Sequence, residues 1–142
     1  MGAGAASYAI QDQRVRDERA TAAAERARAE GIEALLAAPD AVVRNAPVAG
    51  GGRVTVISSA SLDRGAVLFD DLPDPGTGKA YQMWRINAAG PVSAGVLPPG
   101  AQPDTTRFLD TVRGMDTFGL TVEDLPGAKQ PSLPPVAAVT MT

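Results

Sequence analysis

Every one of the 12 prolines in this 142-residue chain lies at Pro39 or beyond. A proline ring fixes φ, removes a backbone donor and clashes with the preceding helical turn, so it is excluded from helix interiors and central strands. The chain before Pro39 is therefore free to form one uninterrupted helix. Everything after it is cut into short segments joined by turns.

Residues 7–38 are expected to be that helix. The stretch is rich in Ala, Arg and Glu, has no β-branched run, and carries one internal glycine, Gly31. Ser7 is placed as its N-cap, and Pro39 stops it by disfavouring the α conformation of Ala38. Asp12–Arg16 and Glu25–Arg28 fall at helical neighbour spacing. Tyr8, Val15, Ala22, Ala29 and Leu36 recur every seven residues, as in a coiled coil. The companion row holds Gln11, Glu18 and Glu25 where apolar residues belong, which favours a charged stalk with a narrow Ala seam. The heptad still leaves a homodimer through the helix as one candidate association. The end of the helix is more apolar, and Ile32, Leu35 and Leu36 are expected to dock on the domain that follows.

Beyond Pro39 the pattern changes to strands. Arg53–Ala60, Gly65–Phe69, Lys79–Asn87, Val92–Leu97, Thr106–Leu109, Thr117–Glu123 and Val136–Met141 are short runs rich in β-formers, and Val42–Asn45 adds an optional eighth. Turn chemistry separates them at Gly50–Gly52, Asp74–Gly78, Ala89–Pro91 and Pro98–Gly100. Strands at this spacing predict an all-β antiparallel sandwich of about seven strands and immunoglobulin-like size, preceded by one long N-terminal α-helix. The division is residues 1–38 for the helical stalk and 39–142 for the sandwich. Val54, Val56, Leu68, Tyr81, Met83, Trp84, Ile86, Leu120 and Val122 are expected in the core, with Trp84 and Phe69 as aromatic anchors.

Little in the chain speaks for catalysis. There is no Cys and no His, which removes thiol nucleophiles, imidazole bases, disulfides and the usual zinc ligands. Ser58, Ser59, Ser61 and Ser93 would need a lysine base, and the only lysines are Lys79 and Lys129. Asp70, Asp71 and Asp74 sit beside a Gly-rich turn, but Pro73 and Pro75 interrupt them and no Ca²⁺-loop spacing exists, so a solvated hairpin loop is favoured. Gly76-Thr77-Gly78-Lys79 resembles part of a phosphate-binding loop, yet Ala80 and a strand follow it, so it reads as a hairpin turn. Glu123 ends an apolar strand and is either buried and hydrogen-bonded or a strand-end charge, the second being favoured. Pro126–Pro135 reads as a rigid loop into the last strand rather than a polyproline ligand. Neither a cofactor nor a metal is expected.

A net charge of −3 gives no basic surface for nucleic acid. No segment reaches the roughly 20 apolar residues of a membrane-spanning helix. Ala3–Ile10, broken by Gly4 and Ser7, lacks the basic flank of a signal peptide. Met1–Ala6 reads equally as the end of a membrane helix or as an added small-residue tail.

Three motifs occur in order: Tyr81-Gln82-Met83-Trp84, then Gly90-Pro91-Val92-Ser93-Ala94-Gly95, then Leu120-Thr121-Val122-Glu123 followed by a segment containing Pro131. Together they resemble the extracytoplasmic C-terminal domain of the anti-sigma-K (RskA) factor family, over about Pro39 to Met141. Tyr81, Gln82, Trp84, Pro91, Ser93, Gly95, Thr121, Glu123 and Pro131 are the residues that carry the likeness. The chain departs from the family pattern at Arg85, where an apolar residue is usual, and in the Asp124–Ala128 and Pro131–Leu133 turns. The resemblance implies a non-enzymatic sensor domain of a single-pass membrane protein on the extracytoplasmic side. It further implies a sigma factor held by a cytoplasmic domain outside this sequence, a membrane helix also outside it, and release by site-1-type and intramembrane proteases. The competing reading is a secreted or surface β-sandwich binding module with a helical oligomerisation stalk.

Overall fold

The computed structural model describes residues Gly2–Thr142, with side chains from Gln11 onward; Met1, and with it part of the Met1–Ala6 reading, lies outside the described residues. Helix α1 spans Gly2–Ala37. It begins ahead of Ser7, which therefore sits inside the helix rather than capping it. The C-terminal stop falls where Pro39 requires it. Side chains from Gln11 to Glu30 are all exposed, as expected of a helix whose apolar seam is alanine.

Eight strands follow: β1 Val42–Pro47, β2 Arg53–Ser59, β3 Arg64–Asp70, β4 Lys79–Asn87, β5 Gly90–Val96, β6 Thr105–Leu109, β7 Thr117–Asp124 and β8 Ala137–Thr140. The optional eighth strand is real and extends to Pro47. Proline is tolerated there because β1 is an edge strand. The strands form two four-stranded antiparallel sheets, ordered β1-β2-β3-β6 and β5-β4-β7-β8. The chain divides into two compact units, a helical one ending at Ala34 and a second from Leu35 to Thr142. The last helical turn thus belongs with the strands, and Leu35 in it is buried.

Strands β3 and β4 lie in different sheets. The segment 71–78 is therefore a crossover, not the hairpin that its turn residues suggest. The 97–104 segment crosses back. In the first hairpin Gly52 has φ +82, and a Cβ there would stand 2.5 Å from the Asp71 carbonyl oxygen, so only glycine fits.

Between the sheets lie Val54, Val56, Phe69, Tyr81, Met83, Phe118 and Leu120, with Val122 packed at the margin. Leu68, Trp84 and Ile86 do not belong to this core. Successive strand residues face opposite ways. Tyr81 and Met83 therefore fix Gln82, Trp84 and Ile86 on the outer face of β4, as Val67 and Phe69 fix Leu68 on that of β3. Strand β4 is apolar on both faces, so its pattern could not assign the inner one.

Two aspartates tie the irregular segments down. Asp40 accepts bonds from the Ser59 hydroxyl (2.7 Å), the Ser61 hydroxyl (2.9 Å) and the Ser61 N–H (2.8 Å). Asp63, at φ 51, accepts from the Thr111 hydroxyl and from the Val112 and Arg113 N–H groups at 2.8–2.9 Å. The Ser59 hydroxyl chiefly, with the Ser61 donors, holds the Asp40 carboxyl below its ordinary value. The Val112 N–H and Thr111 hydroxyl do the same for Asp63.

Candidate functional site

The outer face of the β4–β7 pair carries the densest polar chemistry in the chain. Gln82 lies opposite Thr121, Ala80 opposite Glu123, and Trp84 opposite Gly119. All of these side chains point away from the sandwich core, yet Gln82, Trp84, Thr121 and Glu123 are at most 4% exposed. The 125–136 connection between β7 and β8 is bonded to Gln82 and to Glu123 and acts as a strap on this face.

The strap is held by two clasps. In the first, the Gln82 carboxamide behaves like a strand's peptide group. Its Nε2 donates to the Ala128 carbonyl (3.0 Å), and its Oε1 accepts from the Ala128 N–H (2.8 Å). The same Nε2 donates to Ser93 Oγ at 2.9 Å, tying in edge strand β5. In the second, Ser132 donates its N–H to Glu123 Oε2 (2.8 Å) and its hydroxyl to Oε1 (2.6 Å). A relay runs inward from there: Trp84 Nε1 donates to Thr121 Oγ1 (2.9 Å), which donates to Glu123 Oε2 (2.6 Å).

Two glycines make room for this arrangement. A Cβ on Gly119 would lie 3.0 Å from Ile86 Cδ1 and 3.7 Å from Trp84 Cβ. Gly127 has φ +126, and a Cβ there would stand 2.9 Å from Val96 Cγ2 and 3.2 Å from Gln82 Oε1. The strap closes on Gln82 only because position 127 has no side chain.

Glu123 is a buried carboxylate held entirely by neutral donors. Burial alone would raise its pKa, and Asp124 next to it pushes the same way. The Ser132 N–H, the Ser132 hydroxyl and the Thr121 hydroxyl outweigh both and hold it below the usual carboxylate range. It is not the solvated strand-end charge that its sequence position suggested.

Of the residues carrying the family likeness, the structure brings Gln82 and Ser93 into the first clasp and Trp84, Thr121 and Glu123 into the second. Pro131 precedes Ser132 in the strap and is half-buried. Pro91 and Gly95 lie in β5, opposite Ile86 and Met83 respectively. Tyr81 faces the other way, and its hydroxyl donates to the Pro73 carbonyl at 2.8 Å. At the helix end Ile32 is half-buried, Leu35 is buried and Leu36 is 53% exposed.

Several other candidates are bonded within the fold. Ser59 and Ser61 are bonded to Asp40. Asp74 accepts the Gly76 N–H at 2.8 Å within a turn. Lys79 opens strand β4 and pairs with Asp124, so residues 76–79 do not open a helix. Among the described residues no group of three or more acidic side chains is arranged to hold a metal ion, and no helix is long and apolar enough to cross a membrane. Sequence reasoning missed the Ala128 clasp, and the one signal for it was a glutamine between the apolar Tyr81 and Met83.

No solved structure matches the chain. A protein from Mycobacterium sp. (strain KMS) named anti-sigma-K factor RskA is 35% identical over 109 residues, 76% of this chain and 45% of that protein. The protein of the same name from Mycolicibacterium vanbaalenii is 33% identical over 111 residues, 78% of this chain and 47% of that one. An uncharacterised Streptomyces griseus protein encoded in the phr 5′ region is 32% identical over 127 residues, 89% of this chain and 53% of its own length. The chain thus spans about half the length of the curated relatives it matches. The family model described as anti-sigma-K factor RskA, C-terminal, matches residues 1–139, helix and sandwich together, and the chain belongs to that family.

Proposed function

We propose that this chain is the extracytoplasmic regulatory part of a single-pass membrane anti-sigma factor, controlling an extracytoplasmic-function sigma factor through regulated proteolysis. The observation that carries the reading is the family match over residues 1–139. In this reading the sigma factor is held by a cytoplasmic segment of the parent protein, and α1 is the juxtamembrane stalk. The β unit has no catalytic task. It acts as a folded mass whose state governs access to the stalk, and the side chains from Gln11 to Glu30 stand in solvent as a cleavable stalk requires. The strap is the part of the β unit whose closure depends on a few polar contacts, which makes it the natural place for that state to change.

The test uses the parent protein in its own bacterium, tagged at the end of the β unit, with a sigma-dependent reporter. Protease added to intact cells is expected to remove the tag. Deleting residues 35–142 is expected to change reporter output without loss of sigma-factor binding. A tag protected in intact cells, but cut after permeabilisation, would overturn the topology. An unchanged reporter would overturn the regulatory role.

A further inference from the structure

The sandwich is closed along one side and open along the other. Edge strands β1 and β8 approach each other, whereas β5 and β6, the edges of the opposite side, make no comparable approach. Directly paired strand residues lie on the same face of their sheet, so the register shows which side chains look inward. Arg107 pairs with Val67 and Arg85 with Phe118, both core residues. The two arginines therefore face inward, one from each sheet, and both are half-buried. Val92 of β5 pairs with Arg85 and faces the same way, yet it is 54% exposed. The inner face is without cover there.

Among the described residues neither cation has a partner: the arginines whose side chains are bonded are Arg16, Arg44, Arg53 and Arg113. Arg107 Nε is buried with no hydrogen bond at all, a state that costs free energy until an acceptor is supplied. The two open edges differ. Strand β5 is blunted by Pro91 and by the bulge in its pairing with Met83 and Trp84. Strand β6 has no proline, no lysine and an unbroken register with β3, so its outward peptide groups are open to another strand. The inward charge of Arg107 discriminates among strands. One that sets an apolar or basic side chain beside it buries the charge unpaired. One that brings a carboxylate satisfies it through the two-point geometry that guanidinium and carboxylate share. A second copy does not meet this need at these edges: Gly90–Val96 and Thr105–Leu109 contain no acidic residue.

We infer that β6 is a docking edge for an extended acidic segment of a partner protein, which adds a strand beyond β6 and sets a carboxylate against Arg107. The side chains two residues to either side of that carboxylate fall beside Thr105 and Leu109, which share the face of Arg107; small or β-branched apolar residues suit those places. Arg85 adds a second positive charge from the facing sheet. The inference is independent of the regulatory reading above, because it rests on the strand edge and its charges alone.

The test is a titration of the ¹⁵N-labelled 142-residue chain with the acetylated, amidated heptapeptide TVTETVT, whose glutamate and valines share one strand face. The controls are its glutamine counterpart TVTQTVT, sodium acetate and inorganic phosphate. With the glutamate peptide, saturable shifts are expected in Thr105–Leu109, together with slowed exchange of the alternate β6 amides that do not bond to β3. The glutamine peptide should bind at least about tenfold more weakly, the discrimination one charged hydrogen bond supplies. Arg107→Gln breaks no bond of the fold and is expected to abolish that discrimination. Arg28→Gln removes the same charge from the helix and should leave it intact. No binding of the glutamate peptide, equal binding of the two peptides, an Arg107→Gln variant that discriminates like wild type, or loss of discrimination in Arg28→Gln would each overturn the inference. Acetate or phosphate that matches the peptide in affinity would reduce the site to one for a small anion, and shifts without slowed β6 exchange would rule out strand addition; either result overturns it too.

Discussion

Replacing Glu123 by Gln removes one charge while keeping size and shape. In the wild type three neutral donors converge on the carboxylate, from Thr121 and twice from Ser132. A buried hydrogen bond to a charged acceptor contributes roughly 1.5–3 kcal/mol. The Gln carbonyl retains one or two of the three, and the amide faces a donor with a donor. The expected net loss is that of about one such bond, roughly 2 kcal/mol. For a domain of this size that lowers Tm by about 10 °C. Trp84 is the only tryptophan and is bonded into the same relay, so its fluorescence reads the transition directly. Because the folded pKa of Glu123 is depressed, its contribution is full above the unfolded value, near the usual 4.5, and fades as pH falls through the folded value. Wild type and Glu123→Gln should therefore differ at pH 7 and converge as pH falls below the ordinary carboxylate range. A double-mutant cycle with Ser132→Ala should give a coupling of about 1–2 kcal/mol. Stability curves that stay parallel throughout acid titration, or a coupling no larger than the error of about 0.3–0.5 kcal/mol, would refute the account of the strap.

Gly127→Ala forces a side chain into a φ that only glycine adopts freely and against Gln82, and should cost about 1–3 kcal/mol; a melting curve superposing on wild type would show that the strap can shift at no cost. Asp63→Ala should leave the sheets intact and speed amide exchange at Val112 and Arg113, whose N–H groups it bonds; unchanged exchange rates there would contradict the clamp. Leu35→Asp places a charge at a buried site, whereas Leu36→Asp changes an exposed one. Cleavage between residues 35 and 41 should rise about tenfold or more in the first, an opening made about 1.4 kcal/mol easier, and stay unchanged in the second. Equal cleavage in both would remove Leu35 as the latch of the last helical turn.

The sequence made the architecture legible because two strong constraints acted at once. Prolines barred helix after residue 38, and turn residues punctuated the rest at strand spacing. It failed where a strand is apolar on both sides. Lys79–Asn87 could not show which parity faces inward, because Gln82 and Trp84 are buried on the outer face rather than between the sheets. Burial there depends on Ala128 and Ser132, some 40 or more and nine residues from the groups they cover, and no local period records such contacts. Glu123 was misjudged for the same reason: its donors come from a segment whose prolines announced rigidity but not direction. The Asp74–Gly78 turn was correctly polar, but which sheet the next strand joins is a tertiary fact that turn chemistry does not encode.

The residues that carry the family likeness are mostly bonded to one another. Gln82 with Ser93, Trp84 with Thr121, and Thr121 with Glu123 build the polar outer face of β4 and β7, and of the nine only Tyr81 lines the cleft of about 390 Å³ between the 71–78 and 97–104 crossovers. The likeness therefore specifies how this domain is held shut and is nearly silent on what it binds. The cleft between the 71–78 and 97–104 crossovers is lined by Leu125 as well, and Leu125 is the first residue of the strap. Its N–H is fixed to the Gly78 carbonyl on the cleft wall (3.0 Å), and its neighbour Asp124 holds Lys79. Cleft and strap thus share one anchor. Any event in the cleft that moves residue 125 acts on the same segment that Gln82 and Glu123 hold down, and a binding difference between strap-closed and strap-open forms is the only term by which a ligand could shift one to the other.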